Sequence, residues 1–252
     1  MTNPSLAALR AAPGAAARDG SPAAPVRPAG GPDLFLLAAL VAVAAVLVRA
    51  VWFTPVEMMQ GAAQKIFYVH VPAAVVGLYV GLPIVAICGA MYLWLRDDRL
   101  DRVAESAAEV SLVFLSVVLV TGPLWGKPVW GTWWTWDARL TLTLFLWFVV
   151  LGYLVLRGAI EDRQQRARFS AVLGLLAVLL VPFIHLSVNL FRTMHPQAIV
   201  LKPSAPSLPP EMLRTLMLGF GATLLLFAAL LRARVRYGAE RELLTLRGEE
   251  EG

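Results

Sequence analysis

Residues 125–140 read WGKPVWGTWWTWDARL. Five of the chain's eight tryptophans, Trp125, Trp130, Trp133, Trp134 and Trp136, lie within this stretch, with Gly126, Pro128 and Gly131 between them and Asp137 and Arg139 following. Gly, Pro, Lys, Asp and Arg interrupt the run, so it is expected to form a loop and not part of a spanning helix. Five indoles crowded together also make a poor core strand. What the stretch offers is flat, apolar, polarisable faces, each with an N–H at its edge. Tryptophan often anchors a chain at a membrane interface, but such belts are sparser than this cluster.

Working outward, both flanks are apolar. The chain of 252 residues is 58% hydrophobic and only 15% charged, which excludes an ordinary soluble domain and indicates a polytopic membrane protein. Six segments approach the roughly 20 apolar residues a spanning helix needs: 33–53, 66–94, 106–124, 140–157, 169–191 and 212–231. The expected fold is therefore all-α, a bundle of six transmembrane helices joined by short connections, with the Trp-rich loop on one face. Gly77 and Gly81 form a GxxxG on the second segment, a helix-packing pattern. Residues 1–32, rich in Ala, Pro and Gly, read as a disordered basic tail, with an organellar transit peptide as the alternative. Residues 33–235 then form the membrane domain, and 236–252 a charged, solvated C-terminal tail.

The net charge of +5 does not indicate nucleic-acid binding, because the arginines sit in short clusters between apolar runs. Fifteen arginines fall on the side of the termini and the 95–105 and 157–168 loops, against seven basic residues on the other. The positive-inside rule then places both termini in the cytoplasm and the Trp-rich loop outside, in the periplasm of a Gram-negative cell. The single cysteine, Cys88, excludes intrachain disulfides and CxxC chemistry. GPLWGK at 122–127 has the wrong spacing and context for a phosphate loop. Glu105 and Glu109, one turn apart, read as a solvated helix end.

The three histidines all belong to the same side as the tryptophans. His70 lies just inside the second segment, in FYVHVPAA, and His185 near the end of the fifth, in LVPFIHLSV; each is close to a proline, Pro72 and Pro182. Ionisable groups in membrane segments are costly and usually functional. Neutral imidazole binds iron, zinc or copper, and no acidic or cysteine cluster accompanies the pair to complete a zinc site. Two axial imidazoles with a porphyrin would complete an octahedral iron, and a porphyrin needs a flat apolar platform, which the tryptophans supply. A histidine hydrogen-bonded within the bundle is the alternative. His195, in RTMHP, reads as a surface-loop residue, with a transient iron ligand as the alternative.

WGKPVWGTWWTWDARLT resembles the tryptophan-rich signature of the haem-handling proteins of cytochrome c biogenesis. Together with FYVHVPAA and IHLSVNLFRTMHPQ, it most resembles the haem exporter protein C family, also called cytochrome c maturation protein C, over roughly residues 33–235. The resemblance implies a bacterial inner-membrane protein holding haem b as cargo at the outer face. His70 and His185 would be the axial ligands and the Trp-rich loop the platform. Implied partners are a small haem chaperone, an ABC transporter and a very small helper membrane protein. Arg is the natural partner of a haem propionate, so Arg139 is a candidate contact, with Asp137 beside it also a candidate haem-site residue, unless Arg139 pairs with Asp137 or simply starts the fourth helix beside it. Lys65 and Lys127 are further candidate cations, or solvated lysines. The chain is expected to handle haem without enzymatic chemistry. A transporter of another small solute is the runner-up, but no inverted repeat is evident. A lipid-linked transferase would need paired acids, for which only Asp137 and Glu57 are candidates, and a structural anchor leaves the histidines unexplained.

Overall fold

A computed structural model describes residues 33–196 and 207–251; the expected N-terminal tail lies outside them. Six helical rods are long and apolar enough to cross a membrane, and no β-strand occurs among the described residues, where the Glu57–Gly61 bridge is isolated. This is the expected six-span, all-α membrane protein.

The first rod is α1 (Leu34–Val48), continued by a π-helical turn, Arg49–Phe53. The second is composite: a 3₁₀ turn (Ala62–Ile66), α2 (Phe67–Val76), a π-helical turn (Gly77–Gly81) and α3 (Leu82–Leu95). The others are α4 (Asp98–Trp130), α5 (Ala138–Ala159), α6 (Arg163–Leu190) and α7 (Pro210–Glu251). Four helices begin at an aspartate. Asp33, Asp97, Asp137 and Asp162 each accept hydrogen bonds from the first-turn amides of α1, α4, α5 and α6. A carboxylate there satisfies amides that have no intrahelical partner and complements the helix dipole.

Two expectations change. The stretch Trp125–Trp130 is the last part of α4 and not a loop. Pro123 and Pro128 each remove one donor, yet the helix runs on to Gly131, whose φ of 77° ends it with an amide bond to the Lys127 carbonyl at 3.0 Å. Only the seven residues between α4 and α5, Gly131 to Asp137, form the connection. The C-terminal residues from 236 are not a separate tail either: they continue α7 to Glu251.

The main core joins α3, α4, α5 and α6 through Leu82, Leu115, Leu146, Val150, Tyr153 and Ile184, all nearly inaccessible. The GxxxG of the second rod faces α4. A Cβ on Gly81 would fall 2.0 Å from Ser111 Oγ, and one on Gly77 would fall 3.4 Å from Phe114 Cβ. This close approach brings α2 alongside the upper half of α4, where the candidate site lies.

At the face opposite the tryptophans, charges hold the rods together. Arg157 of α5 is buried and donates to both oxygens of Asp101 at 2.7 and 2.8 Å and to Glu105 at 2.9 Å, both on α4. Glu109 pairs with Arg234, while Glu242 of α7 bridges Arg102 and Arg163. Glu105 and Glu109 are therefore interhelical clamps rather than a solvated helix end, and Glu242 ties the end of α7 to α4 and α6.

Candidate functional site

At the tryptophan end, α2, α4, α5, α6 and the start of α7 surround a cavity of about 520 Å³. This is within the range of cofactor-sized sites, roughly 300–1,000 Å³. All three histidines line it, as do Trp125, Trp130, Trp133, Trp134 and Arg139. Trp136 and Asp137 do not. Trp136 is 77% exposed and meets Trp134 edge-on at 5.8 Å. Asp137 is the cap of α5, accepting from Leu140 N at 3.0 Å and from Thr135 Oγ1 at 3.3 Å. Its carboxylate serves the helix, and an anion there would repel a carboxylate cargo.

The indoles are held by specific contacts. Trp125 donates Nε1–H to Gln60 Oε1 at 2.9 Å and lies edge-on to Phe67 and His70. Trp130 packs back over Gly126, where a Cβ would come within 3.0 Å of its ring. The glycine after the first tryptophan thus makes room for the second. Trp133 lies under the Lys127 ammonium at 6.0 Å. Trp134 Nε1 is buried and has no partner among the described residues, a donor that a polar edge of a ligand would satisfy.

The histidines differ in what their rings can do. Thr121 Oγ1 donates its only proton to Val117 O at 2.6 Å, so toward His70 Nδ1, 2.9 Å away, it can only accept. His70 therefore carries its proton on Nδ1 and keeps the Nε2 lone pair, the arrangement that orients imidazole as a metal ligand. The ring lies over Gly122, where a Cβ would sit 3.4 Å from its Cε1. His195 Nδ1 faces the Pro196 carbonyl at 3.2 Å, which can only accept, so its Nε2 is likewise free. The ring approaches Trp130 at 6.3 Å. His185 Nδ1 instead meets Tyr79 OH at 3.0 Å, a partner able to donate, and nothing else fixes its tautomer. Tyr79 is nine residues beyond His70 along the second rod, a rise of roughly 13 Å. His185 therefore meets the second rod at Tyr79, not at His70.

His195 is half-buried within the cavity, not a surface-loop residue. Burial, and secondarily the Arg139 guanidinium, push its imidazole down to about 4. A base with a lowered pKa stays neutral, and so able to bind metal, through the physiological range. The unfolded chain takes up the proton first as pH falls below about 6.5, so this histidine's contribution to stability declines from there toward the folded value. In the cargo-free protein, the His195 ring signal followed by NMR should show no inflection from about pH 8 to about pH 5, where free imidazole titrates.

Among the described residues the Arg139 guanidinium has no hydrogen-bond or ion-pair partner, Asp137 included, although Thr143 Oγ1 donates to the Arg139 carbonyl at 2.8 Å. The two lysines are engaged. Lys65 donates to the carbonyls of Thr54 and Pro55, and Lys127 to that of Gly131 at 3.0 Å. Thr121, Gly122, Gln60 and Tyr79 are site residues that motif reading did not single out. The arrangement suits a flat apolar molecule with an anionic edge and a metal centre open to imidazole nitrogen.

The family description Heme exporter protein C matches residues 29–246, most of the chain. The chain belongs to that family. Proteins named Heme exporter protein C from Haemophilus influenzae and Escherichia coli K12 are 38% and 36% identical over 207 and 204 residues. These alignments cover 80% and 79% of this chain and 82% and 80% of those proteins. The Bradyrhizobium diazoefficiens protein of the same name is 37% identical, covering 80% of this chain and 76% of its own length. A ccmC-like mitochondrial protein of Marchantia polymorpha, named for cytochrome c biosynthesis, is 35% identical over 58% of this chain and 61% of that protein.

Proposed function

We propose that this protein binds haem b in the tryptophan-lined cavity and passes it on during cytochrome c maturation. The observation that carries the proposal is the pair of imidazoles, His70 and His195, whose Nδ1 protons are taken by Thr121 and Pro196 and whose Nε2 atoms are left for iron. The sequence pairs His70 with His185; the hydrogen bonding favours His195. Trp125, Trp130, Trp133 and Trp134 supply the faces against which a porphyrin lies, with the Arg139 guanidinium for a propionate. Two axial imidazoles saturate the iron and so keep oxygen away from it.

In this reading the protein makes and breaks no bond of its cargo other than iron–ligand bonds. It sits in the bacterial inner membrane with both termini in the cytoplasm and the cavity at the periplasmic face, consistent with the arginine distribution. Its partners are a haem chaperone that accepts the cargo, an ABC transporter of the same system and a small helper membrane protein. Handover requires one imidazole to yield to a ligand of the chaperone.

The test is the absorption spectrum of purified protein loaded with iron protoporphyrin IX. The parent should give a six-coordinate, low-spin spectrum. His70→Ala and His195→Ala should each lose it and retain at least tenfold less haem, while His185→Ala keeps it. An unchanged spectrum in the His70→Ala/His195→Ala double variant overturns the assignment. Loss on His185→Ala with retention on His195→Ala restores the pairing expected from sequence.

A further inference from the structure

The cavity is not uniform along its depth. Its upper wall carries Glu57, Gln60, Arg139 and His195, whereas deeper in the spans Val71, Val75, Leu78 and Leu119 make the lining mostly apolar, with Tyr79 and His185 among them. An amphiphile resting in a bilayer is ordered in the same way, with its charged edge at the headgroups and its body among the acyl chains.

The wall of the cavity is weakest between α2, the cavity-side part of the second rod, and α6. The α2 segment packs against α4 and α7, while α6 packs against α3 and α5. Among the described residues, the hydrogen bond recorded between the 62–81 segment and α6 is that of Tyr79 OH with His185 Nδ1, with the rings edge-on at 6.0 Å. Both residues line the cavity, lie within spans and are exposed, Tyr79 to 38%. Beside His185 on α6, Phe183 and Leu186 are exposed to 61% and 46%, as lipid-facing side chains are. Residues that line a cavity and are also exposed at membrane depth mark a side opening. Tyr79 stands on the π-helical turn Gly77–Gly81, a local departure from α-helix of the kind that often occurs at functional positions.

We propose that the cavity is loaded sideways from the outer leaflet through the opening between α2 with its following π-helical turn and α6, with the Tyr79–His185 hydrogen bond as its latch. This inference rests on the haem reading and on the orientation given above. Haem enters with its apolar body leading between Tyr79 and His185 and its propionates at headgroup level. It then moves up to the tryptophans and the two open imidazoles. His185 acts on passage, not on the final coordination.

The experiment uses the full chain in nanodiscs of phosphatidylethanolamine and phosphatidylglycerol. Iron protoporphyrin IX is delivered either dissolved in vesicles of the same lipids or bound to serum albumin in water, and the Soret band is followed by stopped flow. His185→Trp fills the opening and should slow loading from vesicles at least tenfold, with loading from albumin changed less than twofold. Tyr79→Phe removes the latch while keeping the ring and should speed loading from vesicles severalfold. Both variants should reach the parent's final spectrum. Equal effects on both routes, or none on either, overturn lateral loading, as does an altered final spectrum. A parent protein that develops no Soret band by either route refutes the haem reading itself, so the two failures are distinguishable.

Discussion

Replacing Arg157 with alanine should destabilise the protein by about 3–5 kcal/mol, the cost of leaving a buried ion pair half-made. Arg157 is 6% exposed and Asp101 9%, and the guanidinium holds Asp101 through both oxygens while also reaching Glu105. Removing the cation leaves two carboxylates facing each other on consecutive turns of α4, one of them without access to water. Solvation does not offset the loss at Asp101, whereas Glu105, with 39% side-chain exposure, can turn outward. The double replacement Arg157→Leu with Asp101→Leu should therefore recover at least half of the lost stability, because apolar side chains of similar volume need no partner. Reversible unfolding in mixed micelles, read by circular dichroism, measures both. A loss below about 1 kcal/mol in the single variant would place the pair among surface bridges of small net worth.

Gly122→Val should abolish haem retention almost as fully as His70→Ala, by at least tenfold or about 1.4 kcal/mol, while leaving the fold intact. A single Cβ at this position already comes to 3.4 Å from His70 Cε1 and 4.0 Å from Nδ1. Alanine is therefore a tight fit that a slight shift of the ring accommodates. The branched methyls of valine project further into the space the imidazole occupies and turn it away from Thr121. The ring then loses the acceptor that keeps its proton on Nδ1. Haem titration of Gly122→Ala and Gly122→Val beside the parent, with thermal unfolding as the control for folding, reads the effect. Equal retention in the parent and Gly122→Val would show that the ring does not need this bare patch of α4.

The six spans are legible in the sequence because length and hydropathy decide them. The ends of the spans are not, because a helix does not stop where it becomes polar. Asp98 to Glu105 extend α4 beyond its apolar run, fixed by Arg157, and Trp125–Trp130 extend it at the other end despite two prolines. Interrupting a hydrophobic run and interrupting a helix are different physical events. A proline removes one amide donor and leaves one carbonyl free, which a helix tolerates near its end. Asp137 could have been recognised as a cap from the sequence, since an aspartate directly before an apolar helical run is a start signal. Its place beside Arg139 in the Trp-rich stretch pointed instead to the haem site. His195 lies in a connection with no periodicity, so nothing in its spacing relates it to His70. The contact that decides its tautomer is with its immediate neighbour Pro196, and the contact that draws it into the cavity is with Trp130.

Because α4 is unbroken over 33 residues, it spans roughly 50 Å. Asp101, Glu105 and Glu109 stand at one end, and Thr121, Gly122, Trp125 and Trp130 at the other. Those acids are held by Arg157 and Arg234, on two different rods. The helix is thus a single lever through the membrane. A rotation imposed on its acidic end changes the angle at which Thr121 meets the imidazole and at which two indoles face the cavity. The carbonyls of Leu119 and Leu124, left without their amide partners by Pro123 and Pro128, lie at the working end of the lever. Bending there costs least, so a twist arriving along α4 is spent at the tryptophan-lined cavity.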